Sequence, residues 1–499
     1  MNRMHAHRQS GQGVAGVIAA AVAGGELSAV EVVTDAFARI AACDGSLAAF
    51  CTLDEAGALA AAERVDKAIA RGEPAGALAG VPVAVKDLLC TQGLVTTFGS
   101  ELYRAFVPDE DDVVVARLRA AGAIVVGKTN TSEFGYGAVG HNRLFPPTRN
   151  PWNRELTPGG SSAGSAAAIA AGMVPLALGS DGGGSVRIPA ALCGVYGIKP
   201  SWGRIPVYPG CRDERYPGAS GWESLEHIGP LTGSVADAAL VLSAVVGPSP
   251  SDRASLPREI DDWRVRPPET LRCARIALSL DLGFAKVHPE IRAAVTRAAR
   301  ALEDALGCTV ELAEPPLSDM TPVFDALVAL ETDRAGLDAM ARAQGVAIGG
   351  WLGRLMAREW TADEFTAALM ARKRIVNATA RFMQRYDFLL TPATATPAFE
   401  LGCEGPTRID GVDVDPHAWV AFSALGNFTG LPSASVPVGL TRDNLPIGLQ
   451  IMGRHLDDIG VLTLSAAVES LHPLQRPRVS RPYGASMGSQ GADAAIALS

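Results

Sequence analysis

The chain has 499 residues, of which 48% are hydrophobic and 19% charged, so it can bury a large core. Its formal net charge of -9 argues against a surface for nucleic acid or acidic membranes, because such surfaces need clustered lysine and arginine. The eight cysteines are scattered, without C-x-x-C spacing, which fits neither a disulfide framework nor a zinc site. We therefore expect a reducing compartment and a cytoplasmic location.

The N-terminal region predicts helices. We expect a flexible N-terminus over residues 1–12. Residues 13–24 are apolar after a basic start, as in a signal peptide, but they contain no leucine or phenylalanine and lead straight into a second helix. That second helix begins with a capping box formed by Ser28 and Glu31, and helical patterning continues to residue 75. No run reaches the ~18 apolar residues that a membrane span needs, so we expect no membrane partner.

Beyond residue 75 the pattern changes to strands that alternate with helices. Short apolar runs at 80–87, 122–129 and 174–181 predict strands, and helical segments lie between them. This alternation predicts a parallel or mixed sheet covered on both faces. After a proline-rich interruption the alternation resumes, and a hairpin is predicted near the C-terminus. We expect one domain over residues 13–480 and a flexible C-terminal tail over 481–499.

Gly122–Thr129, with the sequence GAIVVGKT, matches the spacing of a phosphate-binding loop. In such a loop the strand precedes the first glycine, and the residues after it form an open turn. Here the residues after Gly122 are Ala-Ile-Val-Val, which themselves read as a strand. The match therefore predicts a buried strand that ends near Lys128 rather than a nucleotide site.

A second match, GSSAG at Gly160–Gly164, has the spacing of the nucleophile elbow of α/β hydrolases, with Ser162 as the nucleophile. That elbow needs a strand directly upstream, whereas this chain has Pro158 and two glycines there. We favour a different nucleophile, although the downstream histidines leave the elbow open as an alternative.

Two serines and a lysine form the third pattern. Ser161 lies at the start of an alanine-rich helix, Ser185 follows three consecutive glycines, and Lys86 ends a predicted strand. A serine hydroxyl is a poor nucleophile without a base, and a buried lysine that has lost its proton can be that base. These residues alone also allow a simpler interpretation, in which the glycines form a tight turn, Ser161 caps the helix and Lys86 lies at the surface.

Several segments together resemble one family of enzymes. From Pro158 to Pro200, and in GVPVAVKD, GAIVVGKTN, GPLTGSVADAALVL, YDFLLTPAT and GLPSASVPVG, the chain resembles the amidase signature family of serine hydrolases. The resemblance covers roughly residues 15–480. It implies an α/β fold with a single large domain, in which a mixed twisted β-sheet is sandwiched between α-helices. It also implies an amidohydrolase acting on linear amides, with no metal and no cofactor.

The family motifs imply a role for each residue of the third pattern. Ser185 is implied as the nucleophile that forms an acyl-enzyme, Ser161 as a bridging serine after a cis peptide bond, and Lys86 as the base. The glycine run is expected to present backbone N–H groups to the developing oxyanion. The four expected donors are the N–H groups of Gly182, Gly183, Gly184 and Ser185.

Three neighbouring residues receive supporting roles, and two more are candidates for substrate binding. Ser162 either supports the relay by hydrogen bonding or caps the helix. Asp181 and Arg187 are expected to brace the loop without touching the substrate. Phe134 and Tyr136 follow a strand end, and they either line the acyl pocket or pack in the core.

Two departures from the family pattern bear on function. Gly182 stands where many relatives carry a bulkier residue. We expect the missing side chain to widen or loosen the oxyanion loop. Ile188 stands where glutamine is typical of the A-type subunit of glutamyl-tRNA amidotransferase, which hydrolyses glutamine and passes ammonia to a companion protein. We therefore expect a free-standing amidase for a small-molecule carboxylic amide, and an A-type glutaminase subunit is the alternative.

The expected partners follow from that choice. We expect a small-molecule amide substrate and no nucleic acid, and the sequence is compatible with a homodimer. The family accepts aliphatic, aromatic, urea-like and peptide amides, and the sequence does not select among them.

Overall fold

One mixed sheet of 11 strands organises the computed structural model, which describes residues 13–210, 213–219 and 222–477. The strands, in chain order, are β1 (Phe50–Leu53), β2 (Pro82–Lys86), β3 (Ile124–Thr129), β4 (Leu176–Ser180), β5 (Tyr196–Lys199), β6 (Ile228–Thr232), β7 (Arg275–Leu278), β8 (Thr309–Leu312), β9 (Phe388–Pro392), β10 (Arg408–Ile409), β11 (Val412–Asp413), β12 (Ser433–Leu440) and β13 (Pro446–Gly453). Their order across the sheet is β1-β3-β2-β4-β6-β5-β12-β13-β9-β7-β8, and β10 pairs with β11 separately.

Helices flank this sheet and form the outer layers. They are α1 (Val14–Ala23), α2 (Ala29–Leu47), α3 (Glu55–Ala70), α4 (Val113–Ala120), α5 (Ala163–Ala170), α6 (Arg187–Cys193), α7 (Val235–Val245), α8 (Pro289–Leu306), α9 (Thr321–Glu331), α10 (Arg334–Gln344), α11 (Gly350–Ala357), α12 (Ala362–Met383), α13 (Ala424–Thr429) and α14 (Asp458–Leu471). Every residue of the central strands β2, β3, β4 and β6 is buried, which explains their continuous apolar runs. Among the described residues, no helix is both long and apolar enough to cross a membrane.

The strand directions bring two chain segments together at one edge of the sheet. Strand β2 runs parallel to both β3 and β4. Because parallel strands end at the same edge, Lys86 at the end of β2 and Ser180 at the end of β4 lie side by side. Strand β6 runs antiparallel to β4 and pairs Ile228 with Ser180, so the segment before β6 reaches the same edge.

The single α/β domain with its large mixed sheet is confirmed, and one local prediction is wrong. Helical patterning over 13–75 misses β1, which pairs with the edge of β3. The helix before it stops because the Asp44 carboxylate accepts the N–H groups of Ala49 and Phe50, while Ala48 adopts φ 51°. The expected flexible segments 1–12 and 481–499 lie outside the described residues.

The segment with the spacing of a phosphate-binding loop forms a strand, as predicted. Ile124–Thr129 is β3, and Lys128 is completely buried. The Lys128 ammonium donates to the hydroxyls of Thr91 and Thr96, both at 3.0 Å, and to the main-chain oxygen of Leu89. Lys128 therefore ties β3 to the loop that follows β2, and none of its surface is exposed to solvent.

Candidate active site

Lys86 is buried among hydroxyl groups at the carboxyl edge of the sheet. Its Nζ lies 2.8 Å from Oγ of Ser161, and it donates to the main-chain oxygen and the Oγ of Ser180 at 3.1 and 3.0 Å. Burial lowers the pKa of the Lys86 amine to about 7, although the negative charges of Glu226 and Asp181 oppose that shift. A large fraction of the amine is therefore uncharged at neutral pH, as a base requires.

Ser161 and Ser185 meet at a small cavity next to this lysine. The peptide bond between Gly160 and Ser161 is cis, and both serines line a cavity of about 10 Å³. The main-chain N–H of Ser162 donates to the main-chain oxygen of Ser185 at 3.1 Å, which holds the two segments together. No hydrogen bond joins the two hydroxyls within the described part of the chain, and catalytic hydrogen bonds often tighten only when substrate binds.

Ser162 occupies the N-cap position of α5, but its side chain makes no capping hydrogen bond. Its Oγ donates instead to the main-chain oxygen of Ser180 at 3.2 Å, the same oxygen that accepts from Lys86. The residues before Ser162 form turns and isolated bridges rather than a strand, so the nucleophile-elbow alternative is wrong. Of the two roles expected for Ser162, the contacts favour support of the relay.

Asp181 and Arg187 form a buried ion pair under the glycine run. The Asp181 carboxylate accepts two hydrogen bonds from Arg187 at 2.8 and 3.0 Å, and two more from the N–H groups of Gly184 and Val186. Burial would raise the pKa of the Asp181 carboxyl, but the charge of Arg187 and hydrogen bonds from Arg187 and Asn427 lower it well below its usual range. Asp181 thus links Arg187 to the main chain of Gly184 and Val186, and the expected bracing role of the pair stays a prediction.

The brace extends to residues that the sequence motifs do not indicate. The Arg187 guanidinium also donates to the main-chain oxygen of Ser423 and to the side chains of Gln450 and Asn427, at 2.7–2.8 Å. Asn427 in turn donates to the main-chain oxygen of Asp181 at 2.7 Å. These partners lie 236 to 263 positions after Arg187 in the sequence, and only the fold brings them to the loop.

The expected oxyanion hole loses one of its four donors. The N–H of Gly184 is engaged with the Asp181 carboxylate at 2.7 Å, and we therefore leave it out. Among the described residues, no acceptor takes the N–H groups of Gly182, Gly183 or Ser185. Three of the expected donors thus remain without an acceptor in the described part of the chain, and their role in an oxyanion hole stays a prediction. In other enzymes one such donor is worth about 3–4 kcal/mol in the barrier.

Close packing also requires glycine at the positions of this run. A Cβ at Gly182 would lie 2.0 Å from Cε3 of Trp222, and one at Gly183 would lie 2.5 Å from Cζ of Phe324. Gly184 has φ +124°, which side chains rarely adopt. The expectation that Gly182 loosens the loop is wrong, because the Trp222 ring fills the space that a side chain would take.

A cavity of about 480 Å³ lies above Ser185. Its aromatic walls are Trp222, Phe324 and Trp351; Phe324 stacks on Trp351 with ring centres 5.9 Å apart, and Trp222 meets Phe324 edge-on. Its charged lining lies partly exposed to solvent, and Arg354 pairs with Glu404 at 2.6 Å. The charged and titratable members of the lining are Asp319, Asp325, Arg354, Glu404, Asp415 and His417.

The two predicted pocket residues have different positions. Phe134 is buried and lines the small cavity beside Ser161 and Ser185. Tyr136 does not line the 480 Å³ cavity; its ring packs edge-on against Trp222, and its hydroxyl bonds to Oγ1 of Thr332 at 2.6 Å. Tyr136 lies behind Trp222, because its hydroxyl forms a hydrogen bond with Thr332 in the core.

Comparisons with known proteins show which family the chain is similar to. A model of the Amidase family matches residues 31–462. The chain is 36% identical to the A-type subunit of glutamyl-tRNA(Gln) amidotransferase from Desulforapulum autotrophicum, with 90% of this chain and 95% of the relative covered, and equally so to that from Thermosynechococcus vestitus. A solved bacterial aryl acylamidase has a TM-score of 0.82 at 31% identity, covering 92% of this chain and 96% of its own. The solved A-type subunit from Thermotoga maritima has a TM-score of 0.72 at 30% identity, covering 90% and 93%.

These relatives correct two expectations. The free-standing amidase is wrong as the main interpretation, because the similar curated relatives are named as amidotransferase subunits. A partner set limited to a small molecule without nucleic acid is wrong for the same reason, since that name includes a glutamyl-tRNA. Ile188 alone was too weak a signal against similarity over nearly the whole chain. The chain belongs to the amidase signature family, as an enzyme of the class that cleaves C–N bonds.

Proposed function

We propose that this chain is the glutamine-hydrolysing, A-type component of a tRNA-dependent amidotransferase, which releases ammonia for a companion protein. Relatives with that name, 36% identical over 90% of the chain, support this assignment. The observation that supports glutamine as the substrate is the charged lining of the cavity above Ser185.

Glutamine carries both charges at its α-carbon, and the cavity offers groups of both signs. The Arg354 guanidinium gives two hydrogen bonds to Glu404, at 2.6 and 3.2 Å, and its remaining N–H groups suit the α-carboxylate, since a guanidinium has five donors. The carboxylates of Asp325 and Asp415 suit the α-ammonium. The aromatic walls pack against the methylene groups between these charges and the amide, and 480 Å³ is within the range of small-molecule pockets.

The residues around the small cavity supply the chemistry of amide hydrolysis. Uncharged Lys86 takes a proton from Ser161 as Ser161 takes one from Ser185, whose Oγ attacks the amide carbon. The three free N–H groups stabilise the negative oxygen of the tetrahedral intermediate. The relay then returns the proton to the leaving nitrogen, so that ammonia rather than an amide anion departs. Water attacks the acyl-enzyme through the same relay and releases glutamate.

The cytoplasm is the expected site of this activity. Glutamyl-tRNA belongs to that compartment, and the cysteines of the described residues remain free thiols. Both points favour a reducing environment.

The test uses the full chain with and without the companion subunits encoded in the same genome. We expect glutamate release from glutamine and, with the companions and glutamyl-tRNA, transfer of the amide nitrogen to the tRNA-bound glutamate. Ser185→Ala should abolish both activities. Ser435→Ala is the matched control, because Ser435 is also buried and its Oγ has no hydrogen-bond partner in the described structure. A complex that neither hydrolyses glutamine nor transfers nitrogen contradicts the proposal.

A further inference from the structure

The glycine run contains one peptide unit, between Gly183 and Gly184, that side chains hold at both edges. The N–H of Gly184 donates to the Asp181 carboxylate at 2.7 Å. At the opposite edge, the main-chain oxygen of Gly183 accepts a hydrogen bond from Oγ of Ser423 at 2.5 Å. Because a peptide unit is planar, these two hydrogen bonds together fix the orientation of the whole unit.

The Ser423 hydroxyl is directed at the glycine run rather than at its own helix. Ser423 occupies the N-cap position of α13, but its side chain makes no capping hydrogen bond. Its Oγ also lies 2.9 Å from the main-chain oxygen of Val420, but that oxygen already accepts the main-chain N–H of Ser423 at 3.2 Å. A serine hydroxyl has a single proton to donate, and the oxygen of Gly183 is the closer acceptor.

This contact matters because glycines do not orient their own peptide units. Without a Cβ, the backbone at Gly183 and Gly184 has access to many more φ and ψ angles than other residues have. The N–H groups of Gly183 and Ser185 belong to the units directly before and after the held one. The direction of each N–H relative to the other depends on the rotations at the two glycines, so holding the unit between them limits both.

We propose that Ser423 is a positioning residue of the oxyanion loop. Its hydroxyl keeps the unit between Gly183 and Gly184 in place, and the N–H groups on either side of that unit stay directed at the developing oxyanion. This inference rests on the acyl-enzyme mechanism of the proposed function. Ser423 lies 240 positions after Gly183, so the motif around Ser185 does not indicate it.

The variant Ser423→Ala removes this one contact and leaves the neighbouring contacts in place. The main-chain oxygen of Ser423 accepts from the Arg187 guanidinium at 2.8 Å, and that hydrogen bond does not need the side chain. The hydrogen bonds from Arg187 and Gly184 to Asp181 also remain. Alanine keeps the Cβ, which packs so closely on Gly184 that a Cβ built there would lie 2.4 Å from it. The loss is therefore confined to one edge of the peptide unit.

The experiment measures how fast a fluorophosphonate labels Ser185 in the full chain, over a range of pH. The phosphonyl oxygen develops negative charge as the oxyanion does, so the rate reports the orientation of the donors. In Ser423→Ala the rate constant should fall about tenfold to hundredfold, because a misplacement of about 1 Å can cost that much. The pH at which labelling falls off in acid should not change, because Lys86 keeps its contacts with Ser161 and Ser180.

Glutamine turnover gives a second measurement. In Ser423→Ala, kcat should fall by a similar factor while KM stays unchanged, as expected when an interaction forms only in the transition state. A merely structural role would lower the stability of the variant without this split between kcat and KM.

Ser433→Ala is the matched control. Ser433 is also fully buried, and its Oγ donates to the main-chain oxygen of Leu431 at 3.2 Å, outside the oxyanion loop, so its labelling rate should equal that of the wild type. Ser423→Cys keeps an atom at the γ position but donates only weakly, so its rate should fall as well. This second variant serves if Ser423→Ala fails to fold.

An unchanged labelling rate in a folded Ser423 variant overturns the inference. An equal loss in the Ser433 control, or a change in the pH at which labelling falls off, overturns it too. Labelling does not need glutamine, so the two proposals fail differently. Normal labelling of the wild type without glutamine turnover contradicts the proposed function. Glutamine turnover by the wild type, with unchanged labelling in Ser423→Ala, contradicts the role of Ser423 alone.

Discussion

Gly182→Ala tests whether the Trp222 ring is fitted to a residue without a side chain. The φ angle of Gly182 lies outside the left-handed region, so alanine meets no backbone strain there. Its Cβ would lie 2.0 and 2.5 Å from two ring carbons of Trp222. Since carbon atoms attract best at about 3.5–4.0 Å, the ring would have to retreat by roughly 1.5 Å.

The retreat is opposed by the rings that surround Trp222. Tyr136, Phe324 and Trp351 meet it edge-on, with ring centres 5.0, 5.7 and 6.0 Å away. Overpacking of this kind costs about 1–3 kcal/mol. We therefore expect Gly182→Ala to lower the free energy of unfolding by that amount, and to lower kcat because the oxyanion loop carries the strain.

A double-mutant cycle separates this contact from other effects. Trp222→Ala alone should cost about 3–5 kcal/mol, as for a large buried aromatic. In that background Gly182→Ala has room, so its own cost should vanish and the coupling should reach about 1–3 kcal/mol. Urea denaturation of the four proteins measures the cycle. Costs that add to within about 0.5 kcal/mol would refute the argument, because independent sites behave that way.

Three further predictions concern charge. Burial lowers the pKa of Lys86 to about 7. Therefore kcat/KM for glutamine should rise about tenfold from one pH unit below that value to the plateau above it. A pH profile that is flat over this range contradicts the assignment of Lys86 as the base. Arg354→Ala should raise KM for glutamine about tenfold or more, with little change in kcat. The KM for 4-aminobutanamide, which lacks the carboxylate, should not change. Equal increases in KM for the two amides contradict the substrate assignment. Asp181→Asn should lower the free energy of unfolding by about 3–5 kcal/mol, because it leaves Arg187 buried without its counter-charge. The control Glu223→Gln, at the surface, should lower it by only about 0–1 kcal/mol. Denaturation curves that are alike for the two variants refute the bracing role.

Much of this protein could be predicted from the order of residues along the chain. Strands with both faces buried have continuous apolar sequences, so the apolar runs predict β2, β3 and β4 to within two residues of their limits. Lys86 stands at the end of such a strand, and Ser161 and Ser185 stand beside glycines within one continuous stretch. Local patterns of this kind depend on neighbours in sequence, and they are visible without a fold. The choice between a free-standing enzyme and a component of a complex was not visible in this way, and Ile188 pointed in the wrong direction.

The tertiary structure decided the parts of the site that come from distant segments. Asn427 and Gln450 reach Arg187 across more than 200 positions, and no motif around Ser185 announces them. Trp222 fills the space above Gly182, which the sequence alone suggested was open. The Asp181 carboxylate takes the Gly184 N–H away from the oxyanion hole, a matter of hydrogen-bond direction that composition does not encode. The sequence determines which chemical groups are present and where strands begin and end. Assembly of the sheet determines which groups meet, because contacts between distant segments depend on strand order and register.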